Sequence, residues 1–329
     1  MKLDGFLLAM LSAVVLALLW PGVGANNGPL HLGVVTQAGI ALVFFAHGVM
    51  LAPQAVRAGV AKWRLHLFVQ LCTFVAFPIL GALLYVSTRG VLTDELRLGF
   101  FLLCAMSSTI SSSVAMTAMA RGDVVSAVFN ATISGLIGMV VTPFLMQWVA
   151  AQSGAAPSLG ATILGILLTL ALPFGLGQLL RPLLQPFLQP HKALINKVDR
   201  GVIVLIVYSS FCESTASGVW ASFSWQQLLL TAALALVLLA IMLQVTRSSA
   251  RALGFSREEE IAAVFCGSKK SLASGAPIAR ILFGSHPGLG LIMLPLMLYH
   301  QIQLLVCTVL ARRYAQSAPI AAAEPVSTK

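Results

Sequence analysis

The chain has 329 residues, 58% of them hydrophobic and only 9% charged, with a mean hydropathy of +0.93. Soluble domains carry about 25% charged residues, and disordered chains combine low hydrophobicity with high charge, so a soluble globular enzyme and a disordered chain are both excluded. A membrane-crossing helix needs about 20 apolar residues; the chain therefore accommodates about ten, with no room for a nucleotide-binding domain.

Apolar runs predict spans over 5–22, 31–52, 65–87, 97–119, 123–149, 159–181, 199–220, 225–246, 258–283 and 287–311. The first follows Lys2 and ends near Gly22-Val23-Gly24-Ala25, a pattern shared by a cleaved signal peptide and a retained first span. Retention is preferred because the span count and charge asymmetry then agree. Spans 1 and 2 meet at Asn26-Asn27-Gly28-Pro29, and spans 5 and 6 at the uncharged stretch from Gln152 to Ser158. The Ala/Pro/Ser-rich segment 312–329 reads as a disordered cytoplasmic tail.

The formal charge is +10, yet the basic residues form no single patch. With the N-terminus inside, the inner loops and ends hold Lys2, Arg57, Lys62, Arg64, Arg121, Arg181, Lys192, Lys197, Arg200, Arg247, Arg251, Arg257, Arg312, Arg313 and Lys329. The outer loops hold Arg89, Arg97 and Arg280, so the bias is 15 to 3. This predicts cytoplasmic termini and basic loops facing anionic membrane lipid, and it removes the reason to invoke nucleic acid. No protein partner is implied. Cys72, Cys104, Cys212, Cys266 and Cys307 lack metal-ligand spacing and read as packing residues.

Ten spans split into five and five, and an odd number forces the second half to enter from the opposite side. Met119-Ala120-Arg121 is echoed by Ile278-Ala279-Arg280, 159 residues later. At the same offset the polar stretch from Ser107 to Ser113 overlays the one around Ser268-Lys269-Lys270-Ser271. Span 4 thus carries six hydroxyls in seven residues, including Thr109, Ser112 and Ser113. Such a cluster suits either a seam of small residues between helices or a broken helix that binds ions and substrate at the midplane; the second polar break favours the latter.

Span 9 contains Gly267, Gly275 and Pro277, which favour interruption, and two lysines, each costing about 2.5–3.5 kcal/mol at a span centre. A water-filled cavity, an acidic partner or an anionic substrate is needed to offset them. In span 5, Ser126, Asn130 and Ser134 share one helix face; in span 3, Gln70 and Thr73 do. Glu213 in span 7 is read as a proton site, a partner for a lysine, or a residue at the outer end in water. His47 and His300 are packing residues or proton relays. Glu258-Glu259-Glu260 suits the N-terminus of span 9 as a dipole cap. No metalloprotease, serine-hydrolase, Walker A or dinucleotide motif is found, so no enzyme activity is expected.

The hydroxyl-rich span 4, the Ala120-Arg121-Gly122-Asp123 turn and the run Phe265-Cys266-Gly267-Ser268-Lys269-Lys270-Ser271-Leu272-Ala273 resemble the bile acid:sodium symporter superfamily. More closely, the span 9 run looks like the bacterial branch related to the vertebrate orphan (seventh) member of that solute-carrier family. The resemblance extends to the tail.

It implies an all-α integral membrane protein of the bacterial inner membrane, with ten transmembrane helices in two inverted five-helix repeats, 1–152 and 153–311. Spans 1, 2, 6 and 7 would form a panel domain and spans 3–5 and 8–10 a core domain, with spans 4 and 9 broken and crossing. The implied activity is secondary transport of a small organic anion by alternating access. Lys269, Lys270, Ser271, Thr109 and Asn130 are the candidate substrate residues, with Gln70, Thr73, Glu213 and His47 as further polar candidates.

Sodium is the implied ion. Aligned through Ala120-Arg121-Gly122, the family's ligands fall on Ser113, Val114, Ala127 and Ala131, with Ser112, Ser126 and Asn130 within two residues. The family's span 9 glutamate and glutamine fall on Val264 and Ser268, and its span 3 glutamine on Thr73. The candidate sodium set is therefore Ser112, Ser113, Ser126, Asn130 and Ser268. It lacks the bridging carboxylate, and a lysine ammonium nearby can replace a bound cation. Proton-coupled or uncoupled transport, and a non-transporting regulator on the same fold, are the competing readings.

Overall fold

A computed structural model describes residues 5–25, 28–51, 62–152, 160, 164–165, 167–218, 223–284 and 286–317. The loop holding Arg57, the 5–6 junction beyond Gln152, Asn26-Asn27, Lys2 and the tail from 318 lie outside them. The described residues are helical, with one isolated β-bridge between Arg89 and Leu92 and no strand.

The helices are α1 Gly5–Leu19, α2 Leu32–Met50, α3 Trp63–Ser87, α4 Asp94–Ala105, α5 Ser111–Met119, α6 Val124–Gln152, α7 Leu172–Leu188, α8 Lys192–Ala216, α9 Trp225–Ala252, α10 Arg257–Gly267, α11 Leu272–Phe283 and α12 Leu289–Gln316. A π-turn, Leu167–Ala171, leads into α7.

Six stretches among the described residues are long and apolar enough to cross a membrane: Leu32–Met50, Trp63–Ser87, Val124–Val149, Leu167–Ala216, Trp225–Ala252 and Leu289–Gln316. Their outward faces are apolar: Val34 is 71% exposed, Leu83 61% and Leu179 74%. This places hydrocarbon rather than water around the molecule, and the protein is a multi-pass membrane protein. The difference from ten apolar runs has three sources. The first run forms a 15-residue helix, the runs at 159–181 and 199–220 join into one helical stretch, and the runs at 97–119 and 258–283 are each divided in two.

Both divisions begin where the backbone leaves the helix: α4 ends at Ala105 before Met106–Ile110, and α10 ends at Gly267 before Ser268–Ser271. Around them α4 packs against α3 and α12, and α10 against α3, α5, α6 and α9. Elsewhere α2 and α7 approach closely at two glycines. A Cβ on Gly48 would collide with the Phe174 carbonyl, and one on Gly177 with the Phe45 carbonyl. Gln178 of α7 donates to the Gly48 and Leu51 carbonyls at the end of α2. The first helix packs along α8, and all five cysteines are free and buried, as packing residues are.

Candidate functional site

A helix that stops inside the molecule leaves its last carbonyls without partners, so the two breaks pose one question: what satisfies them. The breaks satisfy each other first. The Ser271 N–H donates to the Ser107 carbonyl at 2.9 Å, and the Ser107 and Ser274 hydroxyls meet at 2.9 Å. Ser108 Oγ donates to the Cys266 carbonyl (2.7 Å) and Ser113 Oγ to the Phe265 carbonyl (2.9 Å), so hydroxyls of the α4–α5 segment cap the end of α10. The long helices following each break supply the rest. Ser134 Oγ of α6 accepts the Ser108 N–H, and Thr142 Oγ1 of α6 donates to the Ala105 carbonyl. Tyr299 Oη of α12 donates to the Ser268 carbonyl at 2.6 Å. Gln303 of α12 holds Lys270 by both backbone groups, its Oε1 accepting the N–H and its Nε2 donating to the carbonyl, each at 2.8 Å.

Lys270 completes the arrangement. Its Nζ donates to the carbonyls of Thr73 (2.9 Å), Cys104 (2.9 Å) and Met106 (2.7 Å) and lies 4.0 Å from the Phe77 ring centroid. Each of these carbonyls is free for a reason written in the chain. Cys104 and Met106 stand at the C-terminal end of α4, where the helix dipole favours a cation. Thr73 lies in a π-turn, Cys72–Ala76, so the Phe77 N–H bonds Cys72 instead. The next donor that could reach the Thr73 carbonyl is residue 78, a proline without an N–H. One ammonium with three protons meets three orphaned carbonyls, and the side chain is fully buried.

Lys269 is the contrast. It is equally buried, but its Nζ makes no hydrogen bond among the described residues. The buried thiols of Cys266 and Cys307 lie within its electrostatic reach. A charged ammonium held this way costs several kcal/mol, a cost that a bound anion removes.

The other candidates divide between this centre and distant places. Thr109 bonds Ser112 (2.7 Å) and Ser113 (2.9 Å) at the start of α5. Ser268 Oγ turns back to the Val264 carbonyl, and Ser271 caps α11 by accepting the Ser274 N–H. Asn130 is fully buried, donates to the Ser126 carbonyl, and accepts from Gln70 Nε2 at 3.4 Å. Thr73 Oγ1 bonds the Val69 carbonyl; it is the backbone of Thr73 that reaches the centre. The Ser126 hydroxyl donates to Asp123 at 2.6 Å, at the start of α6. Two candidates lie on other helices. His47 of α2 stands 3.8 Å from Asp199 of α8 and is partly exposed. Glu213 of α8 has Arg280 of α11 within electrostatic reach rather than either lysine.

At the N-terminal end of α10, away from the break, an ion-pair cluster ties together α3, α6 and α10. Lys62 Nζ lies 2.9 Å from both Asp123 and Glu259. Asp123 also accepts the Ser126 N–H, and Ser256 and Glu259 form a reciprocal cap on α10. The chain enters this cluster through Arg121, which takes a left-handed φ of 60° as Gly122 bonds back to Thr117. Burial alone would raise the Asp123 carboxyl, but hydrogen bonds from Ser126 and Lys62 outweigh it and hold it below the ordinary value. Glu259 is lowered by its hydrogen bond from Lys62. Carboxyls depressed on folding lend stability above their unfolded values, near pH 4, and lose it as pH falls further. Melting temperature is therefore expected to drop between about pH 5 and pH 3, and Asp123→Asn to flatten part of that drop; an unchanged pH profile in the variant would contradict the assignment.

Sequence reasoning missed Gln303, Tyr299 and Thr142. The signal was available in each case as a polar side chain inside an apolar run. Pro78, which frees the Thr73 carbonyl, was equally visible.

Paired broken helices whose ends are sealed by polar side chains, inside an apolar exterior, define a membrane protein of the transporter class. The chain belongs to the SBF-like CPA transporter family, whose model matches residues 4–316. It is 44% identical over 313 residues to YfeH of Escherichia coli, a protein described as a candidate symporter, covering 95% of this chain and 93% of that one. An uncharacterized protein of Pseudomonas aeruginosa, PA2026, is also 44% identical, covering 97% of this chain and 95% of its own. Sodium/bile acid cotransporter 7 of Danio rerio is 30% identical, covering 93% and 92%. The family's description and the names of the Escherichia coli and Danio rerio relatives are those of transporters rather than enzymes.

Proposed function

We propose that the chain is a secondary transporter of a small organic anion, in which Lys270 is a built-in cation at the crossing of the broken helices and Lys269 is the group that meets the substrate. The observation carrying this reading is the contrast between adjacent, fully buried lysines: one with three carbonyl partners, the other with no hydrogen bond among the described residues. A fixed ammonium on carbonyls that would otherwise coordinate a cation makes sodium unnecessary there. Transport on this reading is proton-coupled or uncoupled.

The architecture proposed is ten spans in two inverted repeats, 1–152 and 153–311, in the bacterial inner membrane with both termini cytoplasmic. The charge bias supports the orientation. A structural echo supports the repeat: in each half the long helix after the break accepts a break N–H, through Ser134 for Ser108 and through Gln303 for Lys270. Panel and core would move against each other around the crossing.

The test is uptake by proteoliposomes of labelled taurocholate and a set of small carboxylates and sulfate esters. Saturable uptake of one of them, undiminished when choline replaces sodium, is expected. Uptake that collapses without sodium would overturn the built-in cation, and no uptake of any anion by folded protein would favour a non-transporting regulator.

A further inference from the structure

A groove of about 390 Å³ runs between α9 and α12 over α10, outside the centre described above. Its walls include Leu243, Val306 and Leu310, and its lining includes Val264 of α10, which is fully buried. Val309 on its rim is 53% exposed and neighbouring Leu305 likewise, so the groove opens on the hydrocarbon-facing surface. Arg247 of α9 and Arg313 of α12 line it in the C-terminal parts of their helices. The Arg247 guanidinium lies 5.7 Å from the Tyr314 ring, which sets both arginines at one level. Apart from Gln244, the lining beyond them is apolar and extends seven residues on each helix, to Ala240 and Val306, or about 10 Å of groove.

The charge at this end is unbalanced. Glu260 is the facing carboxylate, and it already accepts from Arg251 Nε and Tyr314 Oη, each at 2.8 Å. Arg247 Nε lies 3.5 Å from it, in an ion pair but without a hydrogen bond. Arg313 forms no ion pair among the described residues. Two guanidinium groups thus share the Glu260 carboxylate, and Arg313 lines the groove without an ion-pair partner among the described residues.

We propose that this groove binds one anionic phospholipid of the cytoplasmic leaflet, its phosphate on Arg247 and Arg313 and one acyl chain along Leu243, Val306 and Leu310. A cationic end at the membrane interface and an apolar trough pointing into the bilayer match an amphiphile with a negative head. The inference rests on the membrane orientation proposed above and not on transport.

The test uses the full chain in detergent micelles. Melting temperature is followed as dioleoylphosphatidylglycerol or dioleoylphosphatidylcholine is added at equal mole fraction, with inorganic phosphate as a third arm. Native mass spectrometry counts the lipids retained. Phosphatidylglycerol should raise the melting temperature saturably, with one molecule retained. Arg313→Gln should weaken that response by about tenfold, whereas Arg312→Gln, beside the groove, should not. Equal responses to the two lipids, the same shift from phosphate alone, an unaltered response in Arg313→Gln, or an equal loss in Arg312→Gln would each overturn the proposal. None of these readouts involves uptake, so the proposed transport can fail while the lipid site stands.

Discussion

Replacing Lys270 with methionine is expected to destabilise the protein by about 3–5 kcal/mol. The substitution orphans three buried carbonyls at once, and each costs roughly 1–3 kcal/mol, less than additively because neighbours relax together. The Phe77 cation–π contact is lost as well. An entire stability of 5–15 kcal/mol is typical of a folded domain, so the variant should melt far below the parent in detergent or accumulate poorly in cells. Gln303→Leu should fall the same way by a smaller amount, since it frees two backbone groups rather than three. A Lys270→Met protein that melts with the parent would show that the carbonyls do not depend on the ammonium.

Lys269→Met should have the opposite signature. Methionine is close to lysine in shape without its charge, and replacing a buried charge that lacks a partner by an apolar side chain is neutral or stabilising. Stability should hold or rise, by up to about 2 kcal/mol, while anion uptake falls by at least tenfold, a loss of about 1.4 kcal/mol in transition-state terms. Separating the two effects is what makes the pair informative. Neighbouring lysines in one break would look alike in a sequence, but one should govern folding and the other transport. Full uptake by Lys269→Met, or a stability loss matching that of Lys270→Met, would contradict the division of labour.

Much of this centre is legible in the sequence. Glycine and proline around 267–277 and the hydroxyl run at 107–113 marked the interruptions, because those residues weaken a helix by rules that act locally. The acidic run at 258–260 announced the start of α10 for the same reason, and Ser256 and Glu259 close a capping box there. What was not legible was assignment. Nothing in the local pattern says that Lys270 turns toward α3 and α4 while Lys269 does not, since that depends on which carbonyls three separate helices leave unpaired. Thr73 illustrates it: periodicity marked its side chain, whereas the structure uses its carbonyl, released by a π-turn and by Pro78. Ser126 was placed with Asn130 by helical spacing, yet it serves the Asp123 cap one turn away. Glu213 and His47 were candidates on polarity alone, and polarity does not carry distance: their partners are Arg280 and Asp199.

The most direct test of the built-in cation is the thermal stability of the purified wild-type chain, titrated with sodium chloride against choline chloride at constant ionic strength. A ligand that binds only the folded state stabilises by mass action. With the Lys270 ammonium on the carbonyls, the two melting curves should superimpose at every concentration. A saturable rise specific to sodium would show a cation site that the ammonium has not replaced, and would contradict the account.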